Sequence, residues 1–135
     1  MIDMTLELAE KVAKAALAKA KALGTKMTVS VVDESGRLVV TMRGDGTSFF
    51  STETSRAKAT ASANFGRPTK EMAEQHAKEP LFWGTVSSVI PGQILTSMGG
   101  APIRRGGRVI GGVGCGGGTG EQDHECAVAG AEVAS

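Results

Sequence analysis

Between Arg108 and Gly120 the chain reads RVIGGVGCGGGTG, and seven of these thirteen residues are glycine. No other stretch limits the possible fold so sharply. Val109, Ile110 and Val113 have strand character, the glycines between them let other backbone approach closely, and Gly116 to Gly118 supply turn chemistry. The segment reads as a last strand with a glycine-lined exit. A closing helix follows from Thr119, with Glu121 and Asp123 in its first turn. Gly112, Gly114 and Gly117 also spell G-x-G-x-x-G, the spacing of a dinucleotide fingerprint. That fingerprint works inside a βαβ unit with an acidic residue about 20 positions on. Only 18 residues follow Gly117, so a Rossmann site is not expected, and no G-x-x-x-x-G-K-[ST] loop occurs. The bare N–H groups of the exit, with the start of the last helix, could still receive a carboxylate or phosphate.

The rest of the chain divides by hydrophobic period. Leu6, Ala9, Ala13, Ala16, Leu17, Ala20 and Leu23 recur every three or four positions with lysines 11, 14, 19 and 21 opposite, which predicts an amphipathic helix capped by Thr5 and stopped by Gly24. Residues 26 to 43 alternate with period two, Met27, Val29 and Val31 and then Leu38, Val40 and Met42, around turn residues Asp33 to Gly36. That is a β-hairpin. Ser48 suits the cap of a second helix to Phe65, with Phe49, Ala57, Ala61 and Phe65 inward and Gly66 as stop. Its middle, TETSRAKATASA, is unusually small and polar for a core helix. Close packing explains this, as does a pocket or subunit seam where Arg56 and Lys58 reach an anion. Pro68 and Thr69 open a third helix that ends at Pro80, and LFWGTVSSVIPG follows as a mixed stretch. From Gln93, QILTSMGG, APIRRGG and RVIGGVGCGGG are three strand signals separated by turns, a meander. The expected fold is therefore one α+β domain over residues 1–135, a five-stranded antiparallel sheet with flanking helices.

Charge and composition exclude several roles. Fifteen basic against 14 acidic residues give a net charge of +1, and they are scattered, so no nucleic-acid partner is expected. No apolar run approaches the roughly 18 to 20 residues that span a bilayer, and MIDMTLELAEK lacks the layout of a signal peptide. No membrane partner is expected, and the expected location is cytoplasmic. Two cysteines do not make a disulfide framework.

The chemically able residues cluster near the end. Cys115, Asp123, His124 and Cys126 are all of metal-binding type, but His124 and Cys126, two apart on a helix, point about 200° apart. No metal site is expected. Beside a cavity, His124 could act as an axial haem ligand or a proton shuttle. His76, within EQHAKE, reads as exposed, yet a subunit seam could bring it to a haem.

Taken in order, the VVDESGRLVVTMRGDG hairpin, the helix SRAKATASA and the ending SMGGAPIRRGGRVIGGVGCGGGTGEQDHECA resemble the GlcG/HbpS haem-degrading-type family, to which the C-terminal domain of PduO-type proteins also belongs. The matching positions are Asp33 and Gly36 in the turn, Arg43 and Asp45 at the strand end, Lys58 in the helix, Gly99, Gly100 and Pro102 in the loop, and Gly111, Gly114, Gly117 and Asp123 in the ending. The resemblance implies a profilin-like or roadblock-like layer, symmetric homo-oligomers, and haem binding or breakdown, with glycolate-utilisation operons and corrinoid metabolism as other family settings. The first helix here carries no histidine, so an iron ligand has to come from His76, His124, a hydroxyl or a thiol.

The expected function is binding of haem or a related tetrapyrrole. His124 or His76 would meet the iron, Arg43, Lys58 or Arg104 would pair the propionates, and Gly99 and Gly100 would border the cofactor. The rival is an enzyme or accessory protein acting on a small organic acid, with Lys58 and Arg43 holding the carboxylate and Asp123, His124 or Cys115 doing acid–base or nucleophilic work. A third reading is a purely structural assembly subunit. A flat apolar slot favours the first, a compact polar cavity the second, and no enclosed pocket the third.

Overall fold

A computed structural model describes residues 1–134. The order is α1 (Leu6–Leu23), β1 (Thr28–Asp33), β2 (Leu38–Arg43), α2 (Phe50–Phe65), α3 (Thr69–Lys78), α4 (Pro80–Val89), β3 (Gly100–Arg105), β4 (Arg108–Gly116) and α5 (Gly120–Glu132). The strands form one antiparallel sheet in the order β2-β1-β4-β3. The helix α2 packs on one face, while α1 and α5 pack on the other and on each other.

The sheet has four strands and not the five expected. The meander begins only at Gly100, because residues 93–99 form turn and coil. Ile94, Thr96 and Met98 alternate as a strand would. Ile94, however, is buried against Ala61, Met72 and Trp83, and the Leu95 N–H donates to the Ala57 carbonyl (3.3 Å). The segment is thus anchored on α2 and on the α3–α4 pair, and adds nothing to the sheet edge. Part of the mixed stretch before it becomes α4, with Pro80 in its first turn, where a missing N–H costs nothing.

Local chemistry accounts for most boundaries. Thr5 Oγ1 accepts from the Leu8 N–H, and Gly24 closes α1 at φ 70°. In the hairpin turn, Asp33 Oδ1 accepts from the N–H groups of Ser35 and Arg37 (2.9 and 3.0 Å), and Gly36 takes φ 82°. Thr119 and Gln122 form a reciprocal capping box on α5. Ser48 does not cap α2: the helix starts at Phe50 with no side-chain cap. Phe49 is 82% exposed and Phe65 37% exposed, so neither lies inward as expected. Both sit at the ends of α2, past the reach of the sheet. Leu6 is likewise exposed, and Val12 holds the inner line of α1.

Side-chain alternation along β4 explains the glycine run. On one face Gly112, Gly114 and Gly116 carry no side chain, and α2 lies directly against them. A Cβ on Gly112 would meet the Ala59 carbonyl oxygen at 2.3 Å, and one on Gly116 would meet Thr54 Oγ1 at 2.7 Å. On the other face Val113 and Cys115 join the main core with Val12, Ala16, Met27, Val29, Val31, Ile103 and Ile110. The polar middle of α2 follows from the same closeness. Ser55 Oγ lies 2.8 Å from Ser30 Oγ, which lies 2.8 Å from Thr41 Oγ1, and Ser51 Oγ donates to Thr28 Oγ1 (2.8 Å). Small hydroxyls fit a narrow seam and satisfy one another there.

Candidate functional site

Two places bring the chemically able residues together. The first is a buried ion pair. Lys58 reaches from α2 past the end of β4, and its Nζ donates to Asp123 Oδ2 (3.1 Å) and to the Cys115 carbonyl (2.9 Å). Asp123 Oδ1 accepts from the Gly118 N–H (2.9 Å), and both charged side chains are 6% exposed. Gly99, at φ 125°, and Gly100 pass so close that a Cβ on either would overlap the pair or its backbone: 2.8 Å from Asp123 Cβ for Gly99, 2.5 Å from the Lys58 carbonyl oxygen for Gly100. The Gly100 N–H donates to Thr69 Oγ1 (2.7 Å). Burial pushes the Asp123 carboxyl above its ordinary range against the pull of Lys58 and the Gly118 N–H. Burial also pushes the Cys115 thiol well up, which keeps the sulfur protonated. The knot holds α2, α5, the end of β4 and the loop before β3 in one arrangement, away from solvent.

The second place is the outer face of α5. His124, Val128, Ala131 and Glu132 follow one another at helical spacing. His124 borders a groove of about 240 Å³ with Lys19, Glu125, Val128 and Glu132. Val128 and Glu132 also line a hollow of about 530 Å³ whose other walls include Arg67, Ala101, Pro102 and Arg104. From His124 to Glu132 the helix rises about 12 Å, and Val128 and Glu132 border both the groove and the hollow. The Arg104 guanidinium donates to the Gly66 and Gly107 carbonyls, which fixes it at the rim. Arg67 stands 5.4 Å from the centre of the Trp83 ring. His124 Nδ1 is buried without a hydrogen-bond partner, leaving Nε2 as the nitrogen open to a ligand. Burial, and then the nearby Lys70 ammonium, hold its pKa below the ordinary value, so the neutral, ligating form is favoured.

The other residues singled out from the sequence lie apart from both places. His76 is exposed and borders a separate hollow with Trp83, Thr96 and Ser97. Arg43 ends β2, its guanidinium donating to the Thr47 carbonyl (3.1 Å). Among the described residues no group of three His, Cys, Asp or Glu side chains could hold a metal ion, and no helix is long and apolar enough to cross a membrane. Sequence reasoning missed Arg67, Val128 and Ala131. The 124/128/131 spacing could have marked the α5 face, but nothing local points to Arg67.

Residues 4–132 match the family model described as "Haem degrading protein HbpS-like". The chain belongs to the HbpS-like family. Among solved structures, a double mutant of Streptomyces reticuli HbpS is 36% identical, with all of this chain and 89% of that one covered at a TM-score of 0.88. A structure of the PduOC:haem complex is 27% identical, covering 97% and 94% of the two chains at a TM-score of 0.86. The corrinoid adenosyltransferase PduO of Salmonella typhimurium is 32% identical over 114 residues, 84% of this HbpS-like chain but 34% of PduO. The chain thus spans about a third of that relative. An uncharacterized 15.0 kDa protein of Citrobacter freundii is 32% identical over 120 residues, covering 89% of this chain and 84% of that protein.

Proposed function

We propose that the α5 face binds haem or a related tetrapyrrole, with His124 facing the metal and Arg104 and Arg67 facing the carboxylates. The observation that carries this reading is that Val128 and Glu132 line both the His124 groove and the hollow of Ala101, Pro102, Arg67 and Arg104. The donor set fits the group: an imidazole kept neutral, an apolar floor, and guanidinium groups suited to carboxylates. A PduOC relative solved with haem supports the choice of ligand. Bound haem would supply iron redox and ligand-exchange chemistry. The chain's own part is to seat the macrocycle against Val128 and Ala131, orient it through Arg104, and present Nε2 of His124. Self-association into a symmetric oligomer belongs to the same reading, as do residence in the cytoplasm and, as an activity to be tested, breakdown of the bound haem.

The rival reading, a small organic acid held by Lys58 and Arg43, has less support. Lys58 Nζ is engaged by Asp123 and the Cys115 carbonyl in the interior, and Arg43 lines neither the groove nor the hollow. Hemin titration of the whole chain tests the proposal. A saturable Soret shift is expected, weakened at least about tenfold in His124→Ala, weakened less in Arg104→Ala, and unchanged in His76→Ala. No saturable shift, or one untouched by His124→Ala, overturns it. Adding a reductant and oxygen to the loaded sample then reads breakdown as loss of the Soret band.

A further inference from the structure

We infer that the hollow between α3, α4 and the 93–99 segment binds a small, uncharged, polyhydroxylated molecule of about one sugar ring. This hollow shares no lining residue with the α5 face, so the inference stands apart from the proposed haem site.

Three elements converge on it. His76 comes from α3, Trp83 and Ser87 from α4, and Thr96 and Ser97 from the segment that fails to join the sheet. The volume is about 360 Å³, near the lower end of the roughly 300–1,000 Å³ of ligand pockets. Gly84 lets the imidazole lie close over α4: a Cβ there would stand 3.4 Å from His76 Nε2.

Thr96 is the telling residue. It is 6% exposed, and its hydroxyl has no hydrogen-bond partner in the chain among the described residues. The one side-chain polar atom that is both sealed and unpartnered is His124 Nδ1. The Thr96 hydroxyl is therefore open, and the hollow that Thr96 lines is its outlet. A buried hydroxyl without a partner in the chain is costly unless something in the hollow satisfies it. Neither the His76 ring nor the Ser87 and Ser97 hydroxyls are engaged by the chain.

Charge and shape select the ligand class. The residues lining the hollow include no Asp, Glu, Lys or Arg, so an anion or a cation would lose water there without gaining a counter-charge. The hollow on the α5 face, by contrast, holds Arg67, Arg104, Glu71 and Glu132. Nor is there a platform for a planar base. Arg67 stands over the Trp83 ring at 5.4 Å, and the Phe82 and Phe65 rings pack against it with centroids 5.1 and 5.7 Å away. Three hydroxyls and a neutral imidazole each donate and accept, which matches the hydroxyls of a polyol. Ala73 and Leu95 supply apolar wall for its C–H surface.

Titration of the whole chain with D-ribose, D-glucose and myo-inositol, followed by Trp83 emission, tests the site. At least one of the three should give a saturable change, and D-glucuronate should bind at least about tenfold more weakly than the best of them. Thr96→Val should raise the half-saturation point at least about tenfold while holding the urea midpoint, because the hydroxyl it replaces bonds to nothing in the chain. His76→Ala, at an exposed position, should weaken binding likewise and gives that reading independently of the fold. Hemin titration of Thr96→Val should be unchanged. No saturable response to any of the three, equal affinity in both variants, or glucuronate binding as tightly as the best neutral probe overturns the inference and leaves the α5 reading untouched.

Discussion

Gly114 and Ser55 meet backbone to backbone: a Cβ on Gly114 would lie 1.9 Å from the Ser55 carbonyl oxygen. The obstacle is the main chain of α2, which cannot rotate aside as a side chain would. Gly114→Ala is therefore expected to destabilise the fold by about 3 kcal/mol or more, at or above the upper end for overpacking. Gly106→Ala, at φ 58° with nothing within 4 Å, should cost only about 1–2 kcal/mol for its left-handed backbone. Urea midpoints followed by far-ultraviolet circular dichroism separate the two; equal losses would refute the seam.

The buried pair of Lys58 and Asp123 should behave as a unit. Lys58→Met or Asp123→Asn alone leaves the partner enclosed without its counterpart, and each is expected to cost about 3–5 kcal/mol. The double variant should lose clearly less than the sum. A double-mutant cycle in urea measures the coupling, and strict additivity would show that the two charges stand independently.

His124 makes stability depend on pH. Its folded pKa lies below the ordinary value of 6.5, so the unfolded chain binds the proton more readily. The contribution is fully present above about pH 6.5 and is lost as pH falls through the lowered folded value. Comparing urea midpoints at about pH 7.5 and 5.5, His124→Gln should reduce the acid loss seen in the unsubstituted chain. Hemin affinity should fall in the same window, because the imidazolium cannot ligate.

Within the α2 seam, Ser55→Ala removes one hydroxyl while Ser30 keeps Thr41 as a partner at 2.8 Å. A loss of about 1 kcal/mol is expected. Ser55→Val adds bulk where the helix lies against the sheet and should cost more, about 1–3 kcal/mol from overpacking on top of the lost bond. Thermal midpoints of the two variants read the order directly.

Elements with a strong hydrophobic period are legible in the sequence. The apolar line of α1, the alternation of the hairpin, and the Thr119 start of α5 each rest on local chemistry that tertiary packing left in place. The stretch 93–99 was not, because Ile94, Thr96 and Met98 alternate like a strand yet attach to α2. Phe49 misled for a similar reason: an aromatic at a helix start reads as core, but the sheet ends short of it. The glycine run was legible as a strand; that α2 covers its bare face became clear only from the fold. Nor could the pairing of Lys58 with Asp123, 65 residues apart, be read from spacing. The α5 face was visible through His124 and Arg104, whereas its shape depends on Arg67 and Pro102, which come from elsewhere in the chain.

The α3–α4 pair touches the body mainly through a small cluster of Ala61, Met72, Trp83 and Ile94, separate from the main core. Trp83 is the chain's one tryptophan, so intrinsic emission watches that annex and not the sheet. Fluorescence and circular dichroism followed through the same denaturation should part company wherever the annex opens first, and a spectroscopist who trusted emission alone would be measuring the wrong transition.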